Sequence, residues 1–210
     1  MAKNMGKLLC LDWETSGASW NEPSHKNHQG ISIGAIVADR DTLEPIDKLY
    51  IEIKFNPKYK WSPEAEKIHG LSREYLEKNG VTQEEAAVLF LEFISKYWEP
   101  DEVIKFIGHK PDFDIGFTDQ LVNTVEFEFA QSAERKFKNY NLIKLNLMVI
   151  DTSALGFILL NENKSNDIFE AMGFEKRADH NALQDAEFTL GACAVMREIF
   201  KMGMAVVNEG

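Results

Sequence analysis

The feature that most constrains this chain is a short apolar strand that runs into acid: Leu8-Leu9-Cys10-Leu11-Asp12-Trp13-Glu14. A β-strand turns successive side chains to opposite faces, so Asp12 and Glu14 share a face, with Cα atoms roughly 7 Å apart at about 3.3 Å of rise per residue. Two carboxylates at the end of a buried strand lose hydration and repel each other unless cations or hydrogen-bond donors compensate. A divalent metal is the simplest compensation, and a solvated strand end is the plainer alternative. These two residues alone leave both readings open.

The rest of the chain has the means to bury such a strand. Its 210 residues are 44% hydrophobic and 11% aromatic, which suits a single domain spanning 1–210 with a substantial core. The longest apolar runs, at 88–94 and 142–150, fall well short of the roughly 20 residues a membrane span requires, so no membrane association is expected. The basic segment 1–7 leads at once into the strand and is too short in apolar residues for a signal peptide, which makes cytoplasmic residence the expectation. Cys10 and Cys193 form neither a disulfide framework nor a zinc pattern and read as reduced, buried small hydrophobes. A net charge of −11 argues against a protein that holds nucleic acid mainly through a broad basic surface. It does not exclude an enzyme whose bound cations reverse the local field that a phosphate meets.

Periodicity and punctuation predict strands over 7–13, 31–38, 49–55, 103–108 and 145–151. Ser62-Pro63-Glu64 opens a helix that Gly70 stops. Thr82-Gln83-Glu84-Glu85 is a capping box ahead of a helix carrying Ala86, Leu89, Phe90, Phe93 and Tyr97. Further helices are expected over 113–125, 153–160, 166–172 and 182–200. The polar stretch 21–30 reads as loop, with His25 and His28 as surface residues. No repeat or Pro-rich linker divides the chain.

Two more acid-bearing segments stand out. In Gly108-His109-Lys110-Pro111-Asp112-Phe113-Asp114 a strand end turns into a helix start, where an Asp is also an ordinary helix cap. In Asp179-His180-Asn181-Ala182-Leu183-Gln184-Asp185 the spacing is informative. Within one α-helix, five residues at about 100° each would put His180 and Asp185 on different faces. They converge only if His180 precedes the helix, and Asn181 with Gln184 supplies a capping box that places it there.

Taken together, Asp12-Trp13-Glu14-Thr15-Ser16-Gly17, His109–Asp114 and the His180-x4-Asp185 spacing resemble the three motifs of the DnaQ-like, or DEDDh, exonuclease family, over about residues 8–196. Ile68-His69-Gly70-Leu71, Asp151–Leu155 and Ile168–Gly173 are similar to supporting features of that family. The segment departs at Lys110, where the family often has a small polar residue. Asp112 competes with Asp114 for the acidic position, and Asp114 is preferred because it follows Phe113.

The resemblance implies a ribonuclease-H-like α/β fold, a mixed five-stranded sheet flanked by helices, and a 3′→5′ exonuclease that releases nucleoside 5′-monophosphates from single-stranded DNA or short RNA. Four oxygen-donor acids suit two Mg²⁺ or Mn²⁺ ions rather than zinc. Asp12 is assigned as bridging ligand, Glu14 and Asp185 to the water-activating ion, Asp114 to the second ion, and His180 as general base. For the terminal nucleotide the resemblance implies main-chain contacts at Thr15, Ser16 and Gly17 and a wall from Ile68 and His69. Trp20 reads either as a stacking platform for a base or as a loop anchor. The partner is a single-stranded nucleic-acid 3′ end, and a polymerase or a second copy is left open. An RNA-trimming enzyme of the oligoribonuclease kind and a non-catalytic or polymerase-tethered binding module are the competing readings. The segment 126–138, with Arg135, Lys136 and Lys138, is left undecided between a solvated face and a partner edge.

Overall fold

The computed structural model describes residues 6–99, 102–125, 149–175 and 180–209. Five strands form one sheet: β1 (Lys7–Thr15), β2 (Gly30–Asp39), β3 (Pro45–Glu52), β4 (Phe106–Gly108) and β5 (Ile150–Asp151), in the order β3-β2-β1-β4-β5. The first three pair antiparallel, while β4 joins β1 and β5 joins β4 in parallel, so the sheet is mixed. Among the described residues seven α-helices accompany it: α1 (Pro63–His69), α2 (Arg73–Asn79), α3 (Gln83–Ser95), α4 (Asp112–Val122), α5 (Thr152–Leu160), α6 (Ser165–Ala171) and α7 (Ala182–Glu209).

The alternation of β1 divides the core. Leu9, Leu11 and Trp13 pack with α3 and α4 through Phe90, Ile94, Phe117 and Leu121. Leu8 and Cys10 face the other way, against Ala186, Leu190 and Cys193 of α7. Both cysteines are buried and free, as their apolar settings predicted. The expected helix boundaries hold where caps are strong. Ser62 accepts from the Ala65 N–H, Gly70 closes α1 in the left-handed conformation at φ 71°, and both halves of the Thr82/Glu85 capping box are made.

Several expectations need correction. Helix α2, capped by Ser72, has no counterpart in the sequence reading, and α7 runs nine residues past Phe200. Strand β3 begins at Pro45 rather than at 49, because an edge strand tolerates Pro at its first residue and polar side chains such as Asp47 and Lys48. His28 is not a surface residue. The loop before β2 folds as a single 3₁₀ turn, Ser24–Lys26, against α4. There Gln120 Nε2 donates to the carbonyls of His25 and His28, and His28 is left only 7% exposed. The fifth strand expected from 145 is described only at Ile150–Asp151, and the undecided segment 126–138 lies outside the described residues.

Candidate active site

The parity of β1 carries into the site. Asp12 and Glu14 continue the Leu8 and Cys10 positions on the α7 side of the sheet. Gly34 is the register partner of Asp12 on β2, and a Cβ there would run into the backbone of Ala182 and Leu183. The absence of a side chain lets the first turn of α7 rest directly on the sheet beside the two acids.

That contact places Asp185. Asn181 caps α7, its Oδ1 accepting from the N–H groups of Leu183 (3.1 Å) and Gln184 (3.2 Å). His180 therefore precedes the helix, and its Nδ1 lies 3.1 Å from Asp185 Oδ2. The convergence that the five-residue spacing required is present. Glu14, His180 and Asp185 present ligand atoms that all lie within 4.8 Å of one another. The histidine thus belongs to the same tight cluster as two of the acids, a grouping that the assignment of metals to carboxylates alone did not include.

Asp114 arrives from the opposite face of the sheet, on the first turn of α4. The Trp13 main-chain N–H donates to its Oδ1 at 3.2 Å, the Trp13 indole donates to Thr118 Oγ1 at 2.9 Å, and the Thr118 hydroxyl donates to the Asp114 carbonyl at 2.8 Å. These bonds fasten the helix to the strand end. Asp114 is buried and lines the cavity, whereas Asp112 is exposed and does not. Burial pushes the Asp114 carboxyl well above the usual carboxylate range and the nearby Glu14 charge adds to the shift, against the Trp13 N–H, which favours the anion.

The four acids and His180 share one cavity of about 320 Å³, also lined by His109, Lys110, Phe113, Ser165, Phe169 and Thr189. Lys110 is the Lys or Arg among these described lining residues. Its backbone adopts φ 54°, and its N–H donates to Asp151 Oδ1 at 3.0 Å. Burial opposes ionisation of Asp151, but the bonds from Lys110 and from the Ser153 N–H and hydroxyl outweigh it and hold the carboxyl below its ordinary range. The motif departure at Lys110 was the one signal for this residue. Nothing in the sequence marked Ser165; Phe169 falls within the Ile168–Gly173 segment singled out by resemblance, and Thr189 stands one helical turn beyond Asp185.

The remaining residues expected to meet substrate lie outside the set that lines this cavity. Ser16 ties loops together: its hydroxyl donates to the Lys60 carbonyl (2.7 Å) and accepts from the Gln29 N–H (2.9 Å), and its carbonyl accepts from Ser62. Thr15 is buried, with its hydroxyl on the Gly17 carbonyl. Ile68 is exposed, and its carbonyl accepts from the His180 N–H at 3.2 Å, which joins the end of α1 to the cluster. His69 is buried beside Trp61, and its Nδ1 accepts from the Leu71 N–H at 3.0 Å. Burial pulls its pKa down, and the neighbouring His180 adds to that. Trp20 is 100% exposed, so the loop-anchor reading is corrected: it packs against nothing.

A mixed sheet in this order, with a carboxylate-lined cavity where its first strand ends, defines a ribonuclease-H-like fold of the DnaQ-like group. Residues 9–192 match the RNase T family model, described as exonuclease. The chain belongs to that exonuclease family. It is 27% identical over 189 residues to the 3′-5′ DNA exonuclease Cap18 of Escherichia coli, covering 86% of each chain. It is 26% identical over 187 residues to the DNA polymerase III subunit epsilon of Buchnera aphidicola, covering 87% of this chain and 69% of that one. Among solved structures it is similar to E. coli exonuclease I in complex with a dT13 oligonucleotide, at a TM-score of 0.69 and 15% identity over 94% of this chain. The exonuclease I from Methylocaldum szegediense gives 0.64 and 21% over 91%. The chain spans about two fifths of the exonuclease I chains, and that likeness is one of fold.

Proposed function

We propose that this chain, acting as a single domain, removes nucleotides one at a time from the 3′ end of single-stranded DNA in a reaction that depends on Mg²⁺ or Mn²⁺. The observation that carries the reading is the convergence of Asp12, Glu14, Asp114, Asp185 and His180 on one cavity. The resemblance to Cap18, a DNA exonuclease, supports DNA as the substrate. The oligonucleotide held by E. coli exonuclease I supports single-stranded entry.

The donor set fits divalent cations of the hard, oxygen-seeking kind. Buried acids crowd together with Lys110 as the Lys or Arg on the cavity wall, and the raised Asp114 carboxyl records the cost of leaving that charge uncompensated. Asp12, Glu14, Asp114 and Asp185 would hold the ions, which supply polarisation of the scissile phosphate and a more acidic water.

The protein's own groups do the rest. Asp185 accepts the Nδ1 proton of His180 and so fixes the ring with Nε2 as the basic nitrogen. Nε2 takes a proton from the attacking water as its oxygen bonds to phosphorus. The bond from phosphorus to the 3′ oxygen breaks, that oxygen gains a proton, and a nucleoside 5′-monophosphate leaves. Lys110 supplies positive charge for a phosphate of the bound strand.

The test is digestion of matched 5′-labelled DNA and RNA strands, and of a closed circular DNA strand, by the purified protein with Mg²⁺ or Mn²⁺. Stepwise loss of mononucleotides from linear DNA and resistance of the circle are the expected results. Faster loss from RNA would move the assignment to an RNA-trimming enzyme, cleavage of circles would make it an endonuclease, and inertness on every strand would favour a binding module.

A further inference from the structure

Away from the cavity, helices α5 and α7 flank an apolar groove of about 340 Å³. Ile150 forms part of its floor, with Leu155, Ile158 and Leu159 from α5 and Met196 and Phe200 from α7 as walls. Beyond the groove α7 projects, and residues 201–207 are all exposed. Ile158, Phe200 and Val206 are 75%, 63% and 72% exposed, and six further large apolar side chains of the same two helices lie between 43% and 72%. At roughly 100 Å² apiece these nine offer on the order of 900 Å², against about 800 Å² per partner in a standard interface and about 300–600 Å² for the largest apolar patch of an ordinary monomer.

The groove and the projecting helix fit each other, yet one copy has no way to bring them together. The helix is continuous from Ala182 to Glu209, so its end leads away along the axis at about 1.5 Å per residue and cannot fold back on a groove that the same helix lines. Met202 and Val206 are four residues apart and so lie on one side of the projecting end, the spacing by which a helix anchors in an apolar groove. A second copy related by a two-fold axis satisfies both halves at once, giving and receiving the same element. We propose that this chain forms a homodimer in which the 201–207 end of each α7 docks in the α5–α7 groove of the other copy. Lys201 with Glu198, and Arg197 on the groove rim, place both signs of charge around the contact. The net charge of −11 opposes association, so moderate salt should tighten the dimer.

Sedimentation of the full 210-residue chain at concentrations up to roughly 100 µM reads the outcome. The wild type should sediment at twice 23.9 kDa, while Met202→Glu and Ile158→Glu should each sediment at 23.9 kDa with unchanged helical content, since both side chains are exposed in the single copy. Mixing Ile158→Cys with Met202→Cys under mild oxidation should give a disulfide-linked species containing one of each variant. A monomeric wild type overturns the proposal. So does a dimer that neither Glu substitution weakens, and so does a monomer that binds lipid vesicles through this face.

Discussion

The Nδ1 of His180 stands 3.1 Å from Oδ2 of Asp185, and the chemistry of the pair decides which ring nitrogen is basic. A carboxylate only accepts, so Nδ1 carries the proton and Nε2 is left to take another. His180→Gln should lower the single-turnover rate by roughly 10²–10⁴-fold with little change in the Mn²⁺ concentration needed. Asp185→Asn should lose both rate and metal affinity. An imidazolium has no free pair, so the wild-type rate should be lost wherever the His180 ring is protonated. If excess Mn²⁺ rescues both variants equally, His180 acts as a ligand, as its place within the 4.8 Å cluster would allow.

The raised Asp114 carboxyl makes a stability prediction for the metal-free protein. A carboxyl whose folded pKa exceeds its unfolded value of about 3.9 stabilises the fold fully only below that value, and the contribution is lost as pH rises through the folded pKa. The melting temperature of wild type should therefore fall relative to Asp114→Asn as pH rises from about 4 to 8. Added Mn²⁺ should raise the wild type more than the variant. Parallel melting curves across that range would remove Asp114 from the buried, uncompensated set.

His69 gives the opposite sign. Its folded pKa is lowered, so its contribution to stability is present above the unfolded value of about 6.5 and is lost as pH falls below it. Urea unfolding at about pH 7.5 and 5.5 should show a larger loss for wild type than for His69→Gln. Equal losses would mean that the buried imidazole accepts its proton without cost.

Lys110 couples backbone strain to the proposed phosphate contact. A non-glycine residue at φ 54° costs roughly 1–2 kcal/mol, so Lys110→Gly should leave the fold as stable or more so. The same change should weaken single-strand binding measured in Ca²⁺ and lower the salt slope by about 0.7, the equivalent of one phosphate. An unchanged slope would place the Nζ away from the strand.

Gly34→Ala tests how the sheet sets the site. The new methyl meets the backbone of Ala182 and Leu183, so the first turn of α7 must lift, and Asp185 with it. A displacement of about 1 Å can cost 10²-fold in rate, and kcat should fall by about that factor while the protein still folds. A fully active variant would show that the helix end adjusts without moving Asp185.

Local rules explain what the sequence disclosed. The alternation of β1, the Thr82 capping box and the Asn181 cap act within a few residues, and each left its signature in residue type and spacing. Helix α2 is two turns long with Leu76 as its buried side chain, too little apolar pattern to announce itself. The run of α7 past Phe200 crosses Gly203, a weak helix former that reads as a stop, and the continuation carries apolar residues on every side rather than one stripe. Burial of His28 depends on Gln120, more than ninety positions away in the chain, and no local pattern records that pairing.

The walls of the cavity are drawn from nearly the whole length of the polypeptide, Asp12 on β1, Asp114 on α4 and Asp185 on α7. A chain emerging from the ribosome therefore carries the first acids long before the last helix can close over them, and long-range closures of this kind form late. On the proposed reading, hydrolytic capacity switches on only with the completed tertiary structure. On the same reading, nascent, misfolded or proteolytically shortened copies that lack the start of α7 would leave the nucleic acid around them intact.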